Sequence, residues 1–202
     1  FAKQFGTAIA HTVSVNTTLD ANDGDTSSID ALLNNRGADG LISLREAILA
    51  ANNTVSGTLP DQIHFNIAGS GPHTIGLLSA LPTITGAVII DGTTETDYAG
   101  SPVIVLNGNS AGSTANGLQL TATSGGSTIR GLVIQAFSGE GILIESSNNL
   151  IAGNFIGSAA DGTTNVGNSG NGIWIKDNAS NNTIGGTASA DQNVIIDSGV
   201  NG

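Results

Sequence analysis

The chain has 202 residues, of which 39% are hydrophobic, 10% charged and 3% aromatic, and its formal net charge is −11. Its five Lys and Arg residues are too few for the basic face that nucleic acids require. No apolar run reaches the roughly 18 residues of a membrane span, so membrane insertion is not expected either. The absence of cysteine excludes disulfides and thiolate metal sites. The 29 glycines and the short Ile, Val and Leu runs favour a strand-rich fold with many turns.

Residues 1–60 differ from the rest of the chain and are predicted to form an N-terminal cap. The alternating segment 11–15 predicts a strand. The polar segment 19–40 holds five aspartates and predicts a long, solvated, acidic loop.

The cap is also predicted to contain the one short α-helix of the chain, over residues 43–52. Ser43 and Glu46 have the spacing of a capping box, and apolar residues recur at helical spacing along one face. Such a helix needs an apolar surface to cover. The open end of a stack of strands offers one, and an uncovered strand edge invites aggregation.

From residue 61 onward, short apolar segments alternate with turns and repeat. The first of them predict strands over residues 63–67, 73–77, 88–90 and 103–106. Residues 141–145 resemble residues 172–176, and residues 117–120 are an earlier copy, so the matching glycines are 24 and then 31 residues apart. Periods of this size, built of short strands and turns, predict a solenoid. We therefore predict an all-β fold in which residues 61–202 form a parallel β-helix, closed at its N-terminal end by the cap.

The cap and the repeats are predicted to form a single domain over residues 1–202, because no linker separates them. Residues 199–202 look like the opening of a further repeat. The chain is therefore expected to be a piece cut from a longer polypeptide, with its coils truncated at the C-terminal end.

The segment 39–48, Asp-Gly-Leu-Ile-Ser-Leu-Arg-Glu-Ala-Ile, resembles the CSLREA motif that opens many bacterial surface and secreted proteins. Ile42 stands where that motif has cysteine, and both residues are apolar. Segments 151–157 and 182–187 are similar to repeats found further along in the same proteins. The resemblance implies a right-handed parallel β-helix of the pectin-lyase-like kind and a secreted or cell-surface location. It implies no catalytic residues.

One row of side chains is the predicted binding surface. Gln119, Leu143 and Trp174 occupy the same position in three successive repeats, between apolar neighbours that are predicted to point inward. The row is then predicted to point outward, and Trp174 would offer a flat surface on which a sugar ring stacks. The alternative is that the loop 160–169 packs over Trp174 and covers it.

The acidic loop contains the best candidate for an ion site. The candidate ligands are Asp20, Asn22, Asp23 and Asp25. Carboxylate and amide oxygens are the ligands of Ca²⁺, so calcium is the predicted cofactor, although the spacing is not that of an EF-hand. A polar turn without an ion is the alternative.

Two further sets of polar residues are predicted to be structural. Lys176 aligns with Glu145, and strands that pair lie about 4.8 Å apart, so the two side chains are expected to form an exposed ion pair. The asparagines at 148–149 and 181–182 occupy equivalent turns and predict a hydrogen-bonded ladder, in which asparagine also tolerates a left-handed backbone.

No catalytic residue is predicted. Arg130 and Lys176 lie on different strands of their repeats and are not expected to converge. The carboxylate pairs are only nominal, because none falls at equivalent strand positions of adjacent repeats: Glu140 with Glu145, Glu95 with Asp97, and Asp177 with Asp191 or Asp197. Three histidines lack the spacing of a metal or acid–base motif: His11, His64 and His73.

These observations favour a non-catalytic module of a secreted or cell-surface bacterial protein. It would act in adhesion, in contact with a polysaccharide or host-cell glycan, or as a rigid spacer. The alternative is the N-terminal part of a polysaccharide lyase or hydrolase whose catalytic coils lie beyond residue 202, so enzymatic activity stays open. A third hypothesis is a scaffold that associates end to end.

Overall fold

The computed structural model describes residues 10–55 and 57–199. Within this part the chain forms α1 (Ile29–Asn34), α2 (Leu44–Asn53) and two 3-10 helices, Gly92–Thr94 and Ser189–Asp191. The strands are β1 (Thr12–Val15), β2 (Asp61–Phe65), β3 (His73–Gly76), β4 (Val88–Asp91), β5 (Ile104–Asn107), β6 (Leu118–Leu120), β7 (Thr128–Arg130), β8 (Leu132–Gln135), β9 (Ile142–Ile144), β10 (Leu150–Ala152), β11 (Phe155–Ile156), β12 (Ile173–Ile175), β13 (Thr183–Ile184) and β14 (Val194–Ile195). Residues 1–9 and 56 of the predicted cap, and 200–202 of the predicted further repeat, lie outside the described residues.

The strands pair in parallel and form three sheets. The first sheet has the order β1-β2-β4-β7-β10-β13, the second β3-β5-β8-β11-β14 and the third β6-β9-β12. The chain visits the sheets in turn, since β7, β8 and β9 belong to three different sheets and β10 returns to the first. Equivalent residues of successive repeats thereby become neighbours, as Thr128 and Leu150 do.

The predicted fold class is wrong. An all-β solenoid with one helix was expected, whereas the described residues form two α-helices and three separate parallel sheets, and their pairing gives no closed or solenoid sheet. Helices combined with purely parallel sheets fit an α/β class better. The repeat spacing indicated which strands are equivalent, but it does not reveal how strands are divided among sheets.

Helix α1 was predicted as part of a loop because its segment is short and polar. Ser28 caps it, and the Ser28 hydroxyl oxygen accepts a hydrogen bond from Ala31 N at 3.0 Å. Ile29 and Leu32 point into the core and are fully buried. Among the described residues, neither helix has the length and hydropathy that a membrane crossing needs.

The predicted helix over 43–52 is confirmed as α2, shifted by one residue. Its capping box is complete: Ser43 Oγ accepts from Glu46 N at 3.1 Å, and Glu46 Oε2 accepts from Ser43 N at 2.9 Å. The other oxygen of Glu46 accepts from the backbone of Asp23 and Gly24, both at 2.8 Å. The carboxylate is buried and therefore ties the acidic loop to the start of α2.

The core is continuous from the helices into the sheets. The predicted strands at 11–15, 63–67, 73–77, 88–90 and 103–106 correspond to β1–β5, with bounds shifted by up to two residues. One buried apolar cluster includes Leu32 of α1, Ile48 of α2 and strand residues from Val13 to Ile156. The helices therefore cover apolar surface next to β1 and β2, as the amphipathic pattern of α2 predicted.

The glycines that marked the repeat are in contact with one another. A Cβ on Gly117 would lie 2.4 Å from the carbonyl oxygen of Gly141, and one on Gly141 would lie 2.5 Å from that of Gly172. No real Cβ approaches an oxygen so closely, so only glycine fits where β6, β9 and β12 begin.

The predicted asparagine ladder is confirmed. Asn149 N and Nδ2 both donate to Asn182 Oδ1, at 2.9 and 2.8 Å, and Asn149 Oδ1 accepts from Ser127 N. A second ladder escaped prediction: Asn154 N donates to Asn193 Oδ1 at 2.9 Å. Both ladders satisfy backbone groups at buried turns, where an unpaired group is costly.

The connection between β11 and β12, residues 157–172, is longer than the six residues that join β8 to β9. It folds back on itself as a hairpin, with an antiparallel bridge between Ser158 and Asn165. Asp161 closes its tip by accepting from Thr163 N and Thr164 N at 2.8 and 2.7 Å. The extra residues are thus accommodated outside the sheets.

Candidate functional site

The predicted row of side chains lies on the three-stranded sheet. Gln119 of β6 pairs in register with Leu143 of β9, and Leu143 pairs in register with Trp174 of β12. The predicted alignment of these three residues is therefore confirmed. It follows from the repeat, because equivalent residues of successive repeats become neighbours in a parallel sheet.

The three residues differ in exposure. Trp174 is 44% exposed, Gln119 is half-buried and Leu143 is only 6% exposed, so Leu143 is not free to contact a large ligand. The neighbours of Gln119 and Leu143 are buried as predicted, whereas Ile175, beside Trp174, is 39% exposed. The accessible part of the row is therefore the indole, with the Gln119 amide at its other end.

An ion pair runs alongside this row. Lys176 Nζ lies 2.8 Å from Glu145 Oε1, which confirms the predicted pair, and Gln119 Nε2 donates to Glu145 Oε2 at 3.2 Å. The hydrogen bond from Lys176 lowers the pKa of the Glu145 carboxyl, and the same bond raises the pKa of the Lys176 ammonium. The ammonium also lies 5.4 Å from the centroid of the Trp174 ring, within range of a cation–π contact. The row is thus bordered by charges that are already paired.

The alternative, in which the loop 160–169 covers Trp174, is not what the structure shows. The hairpin that contains this loop folds toward Phe155, because a Cβ on Gly162 would lie 2.9 Å from the Phe155 ring. Trp174 keeps almost half of its surface exposed.

A shallow cleft of about 580 Å³ lies away from the row. Gly, Ser and Asn residues line it together with Phe137, and it is bordered by Gly167 and Ser169 of the hairpin. Its lining holds no carboxylate, histidine, lysine or arginine, so it offers hydrogen-bonding groups but no acid or base.

The aspartates among the candidate calcium ligands accept hydrogen bonds from different protein groups. Both oxygens of Asp20 accept from the Arg45 guanidinium, Oδ1 from Nε and Oδ2 from Nη2, each at 2.8 Å. Asp23 Oδ2 accepts from Ala38 N at 2.6 Å, whereas Asp25 Oδ1 accepts from Ser27 N. Calcium binding at this loop stays a prediction, and the contacts are those of the polar-turn alternative.

Asp25 and Asn22 are both exposed. Hydrogen bonds from the side chain and the backbone of Ser27 lower the pKa of the Asp25 carboxyl. Such a bond within a turn needs no cation to explain it.

Arg130 forms an ion pair with a carboxylate of the neighbouring strand. Its Nη2 lies 2.5 Å from Asp91 Oδ2, across the paired strands β7 and β4. Half of the Arg130 side chain is exposed, and the Asp91 side chain is buried. The guanidinium is therefore held by a carboxylate and is not free to act as a base.

The structure brings together one group that sequence reasoning missed. His73, Glu95 and Asp97 place one ligand atom each within 4.8 Å of one another, and His73 and Glu95 are buried. The signals were weak: His73 opens a strand, and Glu95 and Asp97 are separated by one residue in a turn. No spacing rule connects residues 22 positions apart, and their proximity depends on the pairing of β3 with β5 and on the turn after β4.

Comparison of the chain with protein-family models, with curated proteins and with solved structures gives no significant match.

Proposed function

We propose that this chain is a non-catalytic module that contacts carbohydrate through Trp174. The observation that carries the proposal is a half-exposed indole on an edge strand, in register with Leu143 and the Gln119 amide. Aromatic rings combine a large apolar face with a polar tip, which suits the mixed surface of a sugar. The amide of Gln119 supplies a nearby hydrogen-bonding group.

The pairing of charges supports a binding role over catalysis. Three basic residues in the described part of the chain, Arg45, Arg130 and Lys176, are each paired with a carboxylate. A lyase or a glycosidase needs a base or two carboxylates that converge on an open site. These pairs lie in different parts of the molecule, since Arg45 is in α2, Arg130 is in β7 and Lys176 directly follows β12.

The setting that we propose is the bacterial cell surface or the secreted fraction. The support is the resemblance of the segment 39–48 to the CSLREA motif. Its helix covers apolar surface next to β1 and β2, and Ile42, at the position of the cysteine, is buried. Adhesion to a polysaccharide or to a host-cell glycan is the role that fits such a location.

A glycan array probed with the purified chain tests the proposal. Calorimetric titration of the best glycan should then show that Trp174→Ala weakens binding at least about tenfold, whereas Trp174→Phe retains part of the affinity. Leu78→Ala is the matched control, because Leu78 is 74% exposed and lies apart from the row. Absence of glycan binding by the wild type, or equal binding by Trp174→Ala, would contradict the proposal. Release of new sugar ends from a polysaccharide would favour the lyase or hydrolase alternative.

A further inference from the structure

The side chains of His73, Glu95 and Asp97 lie close enough together to share one ion. His73 opens β3, Glu95 follows the 3-10 helix Gly92–Thr94, and Asp97 lies in the next turn. Their ligand atoms lie within 4.8 Å of one another. The His73 side chain is 5% exposed and Glu95 is 3% exposed, so two of the three residues are withdrawn from solvent.

Two atoms of these side chains are buried without a hydrogen bond. His73 Nε2 lies 3.5 Å from Asp97 Oδ2 but makes no hydrogen bond to it, and Asp97 Oδ1 is also unsatisfied. A buried polar group without a partner costs about 1–3 kcal/mol, so native structures rarely keep one without a reason. Imidazole nitrogens and carboxylate oxygens are atoms that bind divalent metal ions in proteins.

The carboxylates are held in place by other groups. Glu95 Oε2 accepts from Ile67 N at 2.8 Å, and Oε1 accepts from Thr96 N at 2.8 Å. Asp97 Oδ2 accepts from Gly71 N at 2.5 Å, and Oδ1 of the same carboxylate makes no hydrogen bond. Outer hydrogen bonds of this kind orient the ligands of metal sites.

The two carboxylates of the cluster would also attract a cation. Glu95 and Asp97 bring two carboxylates close together, and the ion pairs of Arg45, Arg130 and Lys176 are with other carboxylates. A divalent ion placed between these two carboxylates would be attracted by both of them.

From this geometry we propose that His73, Glu95 and Asp97 bind a divalent transition-metal ion, with Zn²⁺ as the preferred ion. The imidazole ligand favours zinc and other late transition metals over Ca²⁺, which takes oxygen ligands. Zinc bonds are about 2.0–2.2 Å long, so tetrahedral ligand atoms lie about 3.4 Å apart and the side chains need to close by at most about 1.4 Å. Three protein ligands leave one position for water.

The test is titration calorimetry on the whole purified chain after chelator treatment and removal of the chelator, with Zn²⁺, Mn²⁺ and Ca²⁺ in turn. We expect one Zn²⁺ per chain, and at least about tenfold weaker binding for His73→Gln and for Asp97→Asn. His64→Gln and Asp25→Asn are matched controls outside the cluster and should bind as the wild type does. Zn²⁺ should also raise the melting temperature of the wild type but not of the two cluster variants.

Failure of the wild type to bind Zn²⁺ or Mn²⁺ would overturn the proposal and leave the 3.5 Å approach of His73 to Asp97 as a structural contact. Equal binding by the wild type and both cluster variants would overturn it as well. Ca²⁺ binding that is lost in Asp25→Asn and kept in Asp97→Asn would place the ion in the acidic loop instead. If His73→Gln does not fold, Asp97→Asn decides the outcome, because Asp97 is 30% exposed and its substitution conserves shape.

Discussion

The ammonium of Lys176 lies over the ring of Trp174, 5.4 Å from its centroid, two residues further along the chain. The same ammonium is held by Glu145 at 2.8 Å, so one face of the indole is occupied by a fixed cation. A ligand that stacks on Trp174 is therefore expected to approach the face that points away from this ammonium. This asymmetry follows from the strand, because residues two apart point to the same side.

Replacing Lys176 with methionine tests which face of the indole binds. We expect Lys176→Met to change the fluorescence emission of Trp174, the single tryptophan of the chain, because a charge beside the ring is removed. Affinity for the best glycan should stay within about twofold of the wild type, against about tenfold for the loss of the ring. A loss as large as that of Trp174→Ala would show that the ammonium side is the binding face. Emission spectra and calorimetry are the measurements.

The second asparagine ladder should be important for stability. Asn154 is fully buried, accepts from Leu132 N at 3.1 Å and donates to Ile129 O at 2.9 Å. Asn154→Ala leaves both backbone groups unsatisfied and should lower the free energy of unfolding by about 2 kcal/mol or more. Asn109→Ala, at an exposed position, is the control and should change it by less than about 0.5 kcal/mol. Equal denaturation midpoints for the two variants would contradict this role.

The ion pair of Asp91 and Arg130 should make stability depend on pH. Burial alone would raise the pKa of Asp91, but hydrogen bonds from Arg130 and Thr93 outweigh it and hold the pKa below 3.8. The stabilisation is therefore fully present above pH 3.8 and is lost as the pH falls through the lower value of the folded state.

Asp91→Asn should consequently be less stable than the wild type at pH 6, and its free energy of unfolding should fall less steeply below pH 4. Arg130→Gln should flatten the profile in the same way, because it removes the group that lowers the pKa. Urea denaturation at several pH values measures both. If the free energy of unfolding of both variants falls below pH 4 as steeply as that of the wild type, other carboxylates govern the acid sensitivity.

Self-association through the sheet edges stays a prediction that one substitution can test. β12, β13 and β14 each form one edge of a sheet, and Trp174, Ile175 and Ile184 are exposed there. Exposed apolar edge strands favour pairing with another chain. Ile184→Lys places a charge on the β13 edge and should reduce the weight-average mass measured by light scattering at high concentration. A wild type that stays monomeric under those conditions would contradict the prediction.

Local signals in the sequence predicted the parts of this fold that depend on near neighbours. Ser43 and Glu46 specify the start of α2, and the matching glycines specify which strands are equivalent, since a side chain there would strike the next carbonyl. The register of Gln119, Leu143 and Trp174 follows from that equivalence. The fold class could not be predicted in this way, because the spacing of strands in the sequence does not determine how they are divided among sheets.

The candidate sites were less predictable because side-chain contacts decide them. The acidic loop has the composition of an ion site, but the guanidinium of Arg45 occupies both oxygens of Asp20. Leu143 belongs to the predicted row, yet it is buried. His73 and Asp97 carry no recognisable spacing, and only the pairing of distant strands places them together.

The hairpin between β11 and β12 has a practical consequence. Its sixteen residues turn back through the bridge of Ser158 and Asn165 without altering the register of Trp174 with Leu143. The paired strands thus form a framework whose spacing is fixed by glycine and asparagine. The hairpin lies outside this framework, so its length is free to change. A foreign peptide grafted at the tip near Asp161 would be displayed on a rigid support without disturbing the surface that carries the indole.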